Sequence, residues 1–522
     1  MVVKSRMTPA PSTRLQRFLG ALERAGNRLP DPALLFVLLL AVVFVLSAVF
    51  GNVTFETPGK PGAAPETQKI ISLLEGPRLV AFIAGMVQTF VLFHPLGVVL
   101  VAMLGLGVAE HSGFINCALK AALGVTPKQL LSPMVALAAI LSHTAADAGY
   151  VLVIPLGGIL FHAAGRHPLA GIACAFAGVS GGFGANFIPS GLDPLLQGIT
   201  QQAAQMADPE KVVNPLCNWY FAAASSVLVI LVVWFVTDRV IEPRLMGTVV
   251  DGDEMHASHA EPLSPREKRA LVLAFGAFAF ASLGLALWAA PADSPWRFTD
   301  ATNPGHPQNG SLVAAKAPLM LAIVPLIFLL SLVPGLVYGF AAGTLHSHRD
   351  IFAGMAKSMS AMGQYLVLAF FAALFIQAFG DSKLGLWLAV MGARALEAMA
   401  LHPSLTLTLM ILLVGSVNLL IGSASAKWAL LAPVLVPMLA RAGFPPETVQ
   451  AGYRVGDSTT NIITPLLPYF PLILIHARRH VRGAGLGTLI SLMLPYSVVL
   501  LVCWTAFFLV WHLAGWPFGL GG

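Results

Sequence analysis

The chain has 522 residues, of which 57% are hydrophobic and only 10% charged, and its mean hydropathy is +0.79. Soluble domains carry about 25% charged residues, so a soluble enzyme or binding domain is excluded and one membrane domain is expected. The net charge of +6 does not point to nucleic acid, because the basic residues gather at the ends of apolar runs, as the positive-inside rule requires.

In chain order, residues 1–32 carry Lys4, Arg6, Arg14, Arg17, Arg24 and Arg28 and are expected in the cytoplasm. The apolar stretch 33–50 is too long for a signal peptide and follows about thirty residues of chain, so it reads as a retained helix. A membrane span needs about 20 apolar residues. Full-length candidates are 33–50, 95–110 (continuing a helix from 79), 217–237, 268–289, 316–342, 359–379 and 487–514. Residues 33–514 are taken as a single transmembrane domain, with 515–522 a periplasmic tail.

Two further segments are long enough but interrupted. Residues 168–198 carry Gly178, Gly181, Gly182 and Gly184, then Asn186 and Pro189. Residues 447–477 carry the run from Gly456 through Asp457 to Asn461, then Pro465, Pro468 and Pro471. Glycine and proline clusters break helices, and a break at membrane depth survives only where protein or a watery cavity satisfies the freed backbone. Residues 128–163 and 403–440 behave differently. Their apolar arms flank polar tips, Ser142 to Asp147 in the first and Gly422 to Lys427 in the second, which predicts re-entrant hairpins.

The expected fold is therefore all-α and polytopic, with nine transmembrane helices and two hairpins. Loop 51–77, with only Lys60 and Lys69, falls outside, whereas loop 238–267 and the run Arg478–Arg482 fall inside. The hairpins then enter from opposite faces, which is an inverted repeat. Ala148-Gly149-Tyr150-Val151-Leu152-Val153-Ile154-Pro155 matches Ala426-Lys427-Trp428-Ala429-Leu430-Leu431-Ala432-Pro433 aromatic to aromatic and proline to proline, and Asn186-Phe187-Ile188-Pro189 echoes the segment Asn461 to Pro465. The repeats run over about 79–237 and 352–514. Paired breaks in two halves point to a transporter's binding site.

Six ionisable residues sit at the tips or breaks: His143, Asp147, Asp193, Lys427, Arg454 and Asp457. Each charge at mid-bilayer costs about 2.5–3.5 kcal/mol on insertion scales, which argues for function. The bland alternative is that they satisfy one another, with Arg454 and Asp457 paired at i, i+3. Arginine suits a carboxylate cargo through its planar fork, and half-helix N-termini add partial positive charge. Asp147, Asp193, Asp457, Asn186, Asn461 and the Ser/Thr oxygens suit Na⁺ at the tips and breaks, or act as proton carriers. Trp428 offers a face to an aromatic ring, or else packs a hairpin arm.

Other features carry less. Cys117, Cys174, Cys217 and Cys503 have no metal or redox spacing. His256 and His259 lie in an acidic, solvated loop, and Gly105-Leu106-Gly107 reads as close helix packing. With no GxxxxGK[ST] motif, ATP-driven transport has no support, and no cofactor is expected. An intramembrane aspartyl protease needs glycine where Arg454 stands, and Ser425 and Lys427, two apart, do not share a helix face. Paired breaks make a closed mid-membrane site rather than a passive channel.

The runs Glu23-Arg24-Ala25-Gly26-Asn27-Arg28-Leu29-Pro30, Gly165-Arg166-His167-Pro168-Leu169-Ala170-Gly171, Asn218-Trp219-Tyr220-Phe221 and Asp238-Arg239-Val240-Ile241-Glu242-Pro243-Arg244 resemble the aminobenzoyl-glutamate transporter (AbgT) family. So do Ser423-Ala424-Ser425-Ala426-Lys427-Trp428 and Tyr453-Arg454-Val455-Gly456-Asp457-Ser458. The resemblance runs in order from about residue 20 to the C-terminus. It implies a homodimer in the bacterial inner membrane and ion-coupled movement, by Na⁺ or H⁺, of p-aminobenzoyl-glutamate, p-aminobenzoate or sulfonamide antimetabolites, inward in some members and outward in others. It also implies site roles for Asp193, Ser425, Trp428, Pro446, Arg454, Asp457 and Pro465, while Lys427 stands where relatives vary. The related dicarboxylate transporters carry Ser-Asn-Thr at both tips. Here the tips read Ser142-His143-Thr144 and Ser423-Ala424-Ser425, a departure at the sodium site.

Overall fold

A computed structural model of the chain describes residues 32–57, 66–124, 126–145, 149–252, 263–300, 302–303, 305–464, 467 and 469–520. Two expected site residues, Asp147 and Pro465, and the loop histidines His256 and His259 lie outside the described residues.

The first helix, α1 (Pro32–Val49), is 18 residues long, about 27 Å of helix and enough to cross the hydrocarbon layer. A small antiparallel β-hairpin follows, β1 (Thr54–Thr57) with β2 (Glu66–Lys69), Thr54 facing Lys69. Then come α2 (Gly76–Val91), α3 (His94–His111) and α4 (Phe114–Gly124). Next is a pair of short apolar arms, α5 (Leu131–Leu141) and α6 (Ile154–Ala163), around the tip. The broken helix is α7 (Pro168–Phe176), one π-helical turn at Ala177–Gly181, irregular chain, and α8 (Leu192–Gln205), and α9 (Trp219–Val236) closes the unit. Two connecting helices, α10 (Pro265–Ala289) and α11 (Ile323–Ala342), lead on.

The element order then recurs. Three helices, α12 (His348–Ala361), α13 (Gly363–Asp381) and α14 (Leu384–Met399), precede a second pair of arms, α15 (Pro403–Asn418) and α16 (Ala424–Arg441). A second interrupted helix, α17 (Pro446–Asn461) and α18 (Phe470–His480), leads to the long α19 (Leu486–Leu513). Among the described residues, seven helices are long and apolar enough to cross a membrane, the stretch Gly76–His111 counting as one. All seven coincide with the apolar runs of the sequence. Their outer faces are apolar and uncovered, as at Val272, Phe280 and Leu287 on α10, which is the condition of a helix facing lipid rather than water.

Three features differ from the sequence expectation. The helix begun at Gly76 is interrupted at Leu92–Phe93, because His94-Pro95 starts a new helix with proline in its first turn. Helix α14 was not anticipated; Arg394 and Glu397 interrupt its apolar pattern. The second break also falls later than the glycine suggested. Helix α17 runs unbroken through Gly456 to Asn461, and Gly456 serves packing: a Cβ there would lie 2.5 Å from the Ile411 carbonyl of α15. Gly105 likewise serves packing, since a Cβ there would overlap the Phe328 backbone of α11.

Two of the motif runs meet in space. Arg166, between α6 and α7, bonds Asp238 and Glu242 at 2.5 Å each, beyond the end of α9. Its guanidinium carbon lies 4.2 Å from the Phe161 ring centroid, and Asp238 also accepts from Ser132 at 2.6 Å and Trp234 at 2.8 Å. This network ties the start of α5 and the α6–α7 turn to the end of α9. The cysteines are all free, with Cys117, Cys174 and Cys217 buried.

Candidate functional site

The site lies where the two units interlock. Helix α16 packs on α8, and α17 packs on both α8 and the π-helical turn at Ala177–Gly181. The approach is close because Gly184, in the first break, has no side chain: a Cβ there would lie 2.7 Å from Ser458 Oγ and 2.9 Å from Arg454 Cβ. Its N–H donates to Ser458 Oγ at 2.7 Å, and that hydroxyl donates to the Arg454 carbonyl at 2.7 Å.

Two buried ion pairs form there, and they are not the pair that spacing suggested. Arg454 on α17 donates from Nη2 to Asp193 Oδ1, on the first turn of α8, at 2.7 Å. Asp193 Oδ2 accepts from Asn186 Nδ2 at 2.7 Å and from the Ser190 N–H at 2.8 Å. Asp457, expected beside Arg454, is instead paired with the fully buried Lys427. The Lys427 ammonium also donates to Asn418 Oδ1 and, at 3.4 Å, to the Ile421 carbonyl. Asn418 Nδ2 in turn faces the Asp457 carbonyl at 2.7 Å, Thr460 Oγ1 at 2.8 Å and Asn461 Oδ1 at 2.9 Å. Asn461 Nδ2 lies 3.3 Å from Asp457 Oδ2. The cause of the exchange is geometric: on α17 the guanidinium turns toward the first break, and Asp457 turns toward the start of α16.

Each carboxylate is therefore matched by one cation, but the matching is incomplete on the donor side. Arg454 is 2% exposed, and its Nε and Nη1 have no protein acceptor. Asn186 Oδ1 beside it is also buried without a donor. A buried donor left unpaired costs about 1–3 kcal/mol, so the two unpartnered guanidinium nitrogens mark a place for an acceptor. Nε and Nη1 do not share a donor edge of the guanidinium, so a carboxylate oxygen meets one of them, and a two-pronged bond takes Nη2 as its second prong.

An aromatic wall stands next to this pair. Trp428 and Tyr453 stack with centroids 4.4 Å apart and planes at 29°. The indole N–H donates to Thr200 Oγ1 at 2.9 Å, and the Tyr453 hydroxyl donates to the Ala424 carbonyl at 2.5 Å. The Thr200 hydroxyl lies 2.5 Å from Gln450 Oε1. Trp428 thus has one face covered by Tyr453 and its polar edge already used.

The structure brings together Asp193, Asn186, Arg454, Asp457, Asn461 and Trp428. Ser425 is half-buried near the second tip, its hydroxyl 3.4 Å from that of Ser423. Pro446 is buried but only begins α17, eight residues and about 12 Å of helix away from Arg454. Sequence reasoning missed Asn418, Ser190, Thr200, Gln450 and Tyr453. Asn418 was findable as a lone amide inside an apolar run. Thr200 was findable because Asp193, Gln197, Thr200 and Gln201 recur at helical spacing on α8. Among the described residues, no cluster of three or more His, Cys, Asp or Glu side chains could hold a metal.

The comparisons with known proteins agree with this architecture. Residues 17–522 match the model of the AbgT putative transporter family. The chain is 33% identical over 510 residues to the p-aminobenzoyl-glutamate transport protein of Escherichia coli (strain K12), covering 98% of this chain and 97% of that one. The crystal structure of the Alcanivorax borkumensis YdaH transporter is similar with a TM-score of 0.87 and 43% identity, covering 94% of this chain and all of that one. Neisseria gonorrhoeae MtrF, described with a class of antimetabolite efflux pumps, has a TM-score of 0.88 and 42% identity, covering 95% of this chain and 97% of that one. The chain is a multi-pass membrane transporter of small molecules, not an enzyme, and it belongs to the AbgT family.

Proposed function

We propose that this protein is a cation-coupled secondary transporter of p-aminobenzoyl-glutamate-like aromatic acids across the bacterial inner membrane. The observation that carries the reading is the buried Arg454 guanidinium with Nε and Nη1 unpartnered, beside the Trp428–Tyr453 stack. A carboxylate takes the first, and an aminobenzoyl ring suits the second. The relative from Escherichia coli, a p-aminobenzoyl-glutamate transport protein, supports the same cargo class. Ser425 and Pro446 are assigned to the walls of the cargo path, with Pro465 at the second break.

Coupling is assigned to Asp193 with Asn186 at the first break, to Asn461 at the second, and to Asp147 at the first tip. The bond from Arg454 to Asp193 supports this. Neutralising Asp193, by a proton or by Na⁺ beside it, weakens that bond and frees Nη2 for cargo. The recurring order of three helices, hairpin, broken helix and long helix supports nine spans and two re-entrant hairpins in inverted repeats. The basic residues of 1–32 and of Arg478–Arg482 support a cytoplasmic N-terminus. A homodimer completes the reading.

A second reading, export of folate-pathway antimetabolites such as sulfonamides, is favoured by the likeness to MtrF. One experiment separates these readings and tests the coupling. Radiolabelled p-aminobenzoyl-glutamate and a labelled sulfonamide are offered to proteoliposomes under separate Na⁺ and proton gradients. Gradient-dependent flux of p-aminobenzoyl-glutamate is expected; sulfonamide flux alone would move the assignment to the second reading, and flux unaffected by either gradient would remove the coupling.

A further inference from the structure

The second unit holds its tip through a lysine. The Lys427 ammonium sits among oxygens of Asn418, Asp457 and the Ile421 carbonyl. The first unit has glycine, Gly149, at the position matching Lys427, and its tip is held by His143 instead. His143 Nε2 lies 2.8 Å from the Val179 carbonyl and Nδ1 lies 3.2 Å from the Ala185 carbonyl. Val179 is in the π-helical turn and Ala185 in the irregular chain beyond it, so both carbonyls belong to the first break. The ring also meets Phe183 edge-on at 5.8 Å.

Both partners of this imidazole are acceptors. A neutral imidazole has one N–H and donates to only one of them, leaving its bare nitrogen lone pair against the other carbonyl. An imidazolium donates to both. The two protonation states therefore differ by one hydrogen bond between hairpin tip and broken helix, and by replacement of a repulsive contact. The charged group that acts on the ring is Asp193, itself bonded to Arg454. The tip also packs on α3 and α4, whose titratable groups are His94, Glu110, His111, Cys117 and Lys120, and on the turn carrying Tyr150.

We propose that His143 is a proton-binding site of the transport cycle: protonated, it fastens the first hairpin tip to the break, and deprotonated, it lets the tip move away. This rests on the cation-coupled reading above, and it adds a proton carrier distinct from Asp193. The first tip is thereby the counterpart, through His143, of the tip that Lys427 holds through Asp457 and Asn418.

The test reads tip movement first and transport second. A cysteine replaces Thr144 on a background without the native cysteines, and its labelling by a thiol reagent is followed from about pH 5 to about pH 8, where an ordinary imidazole titrates. It is compared in wild-type, His143→Gln and His143→Arg proteins, the arginine variant being always charged and so correcting for ionisation of the thiol. After that correction, labelling of the His143 protein should rise about tenfold with pH, the worth of one charge-assisted bond. His143→Gln should label fast and His143→Arg slowly across the range. In proteoliposomes with a trapped pH dye, the protons moved per p-aminobenzoyl-glutamate should fall in His143→Gln. Identical labelling profiles in His143→Gln and wild type would overturn the proposal. If His143→Gln does not fold, a pH-independent difference between wild type and His143→Arg does the same. A wild-type protein with pH-gated labelling that moves no p-aminobenzoyl-glutamate would instead overturn the cargo reading and leave the proton site standing.

Discussion

Replacing Arg454 separates a cargo anchor from a structural ion pair. The arginine spends Nη2 on Asp193 at 2.7 Å and has Nε and Nη1 free and buried. Arg454→Ala therefore has two distinct effects. It leaves Asp193 as a buried carboxylate without its cation, which costs about 3–5 kcal/mol of stability. It also removes the two donors meant for cargo. A charge-assisted bond is worth about 1.5–3 kcal/mol, so losing even one weakens binding roughly ten- to a hundredfold. Adding Asp193→Asn removes the stranded charge, since an amide can keep the bonds from Asn186 and Ser190 only in part but carries no net charge. The double variant should regain most of the thermal stability and none of the affinity. Arg454→Lys should stay folded, because an ammonium still pairs with Asp193, yet bind at least about tenfold more weakly for want of the fork. The assay is equilibrium binding of labelled p-aminobenzoyl-glutamate to detergent-purified protein, beside a melting curve for each variant. Wild-type affinity in a stable Arg454→Ala/Asp193→Asn protein would refute the anchor.

Trp428→Phe keeps an aromatic ring against Tyr453 but loses the bond to Thr200, so affinity should fall less than in Trp428→Ala; equal losses measured in the same binding assay would take the stack out of the site. Lys427→Met strands Asp457 and should lower the melting temperature, whereas Lys427→Met/Asp457→Asn should recover it; a single variant as stable as wild type would show that the pair carries no weight. Single cysteines at 143 and 425 should react with impermeant reagents from the cytoplasmic and periplasmic sides respectively, and reaction of both from one side would sink the inverted arrangement.

The long spans were legible because a run of about 20 apolar residues has one physical outcome in lipid. The short apolar arms and the first break were legible because polar tips and glycine clusters interrupt such runs. Partner choice at the site was not. Spacing put Arg454 and Asp457 within reach of each other on one helix face, but α17 is contacted by two different units, and each side chain was taken by the nearer one. That choice depends on the contact of Gly184 with Ser458, between residues 274 positions apart, and no local pattern encodes it. The position of the second break departs from the local pattern for a related reason. Gly456 looks like a helix breaker in isolation, but tertiary packing against Ile411 keeps it helical. The lone Asn418 is legible in the sequence, since an amide in an apolar run has to find partners.

The central claim is that a cargo carboxylate takes an unfilled donor of Arg454. A structure of the protein with p-aminobenzoyl-glutamate bound tests it most directly. The account predicts a carboxylate oxygen within about 3 Å of Arg454 Nε or Nη1, with the aminobenzoyl ring beside Trp428 and Tyr453. Cargo bound elsewhere, with both Arg454 nitrogens still unpartnered, would contradict it.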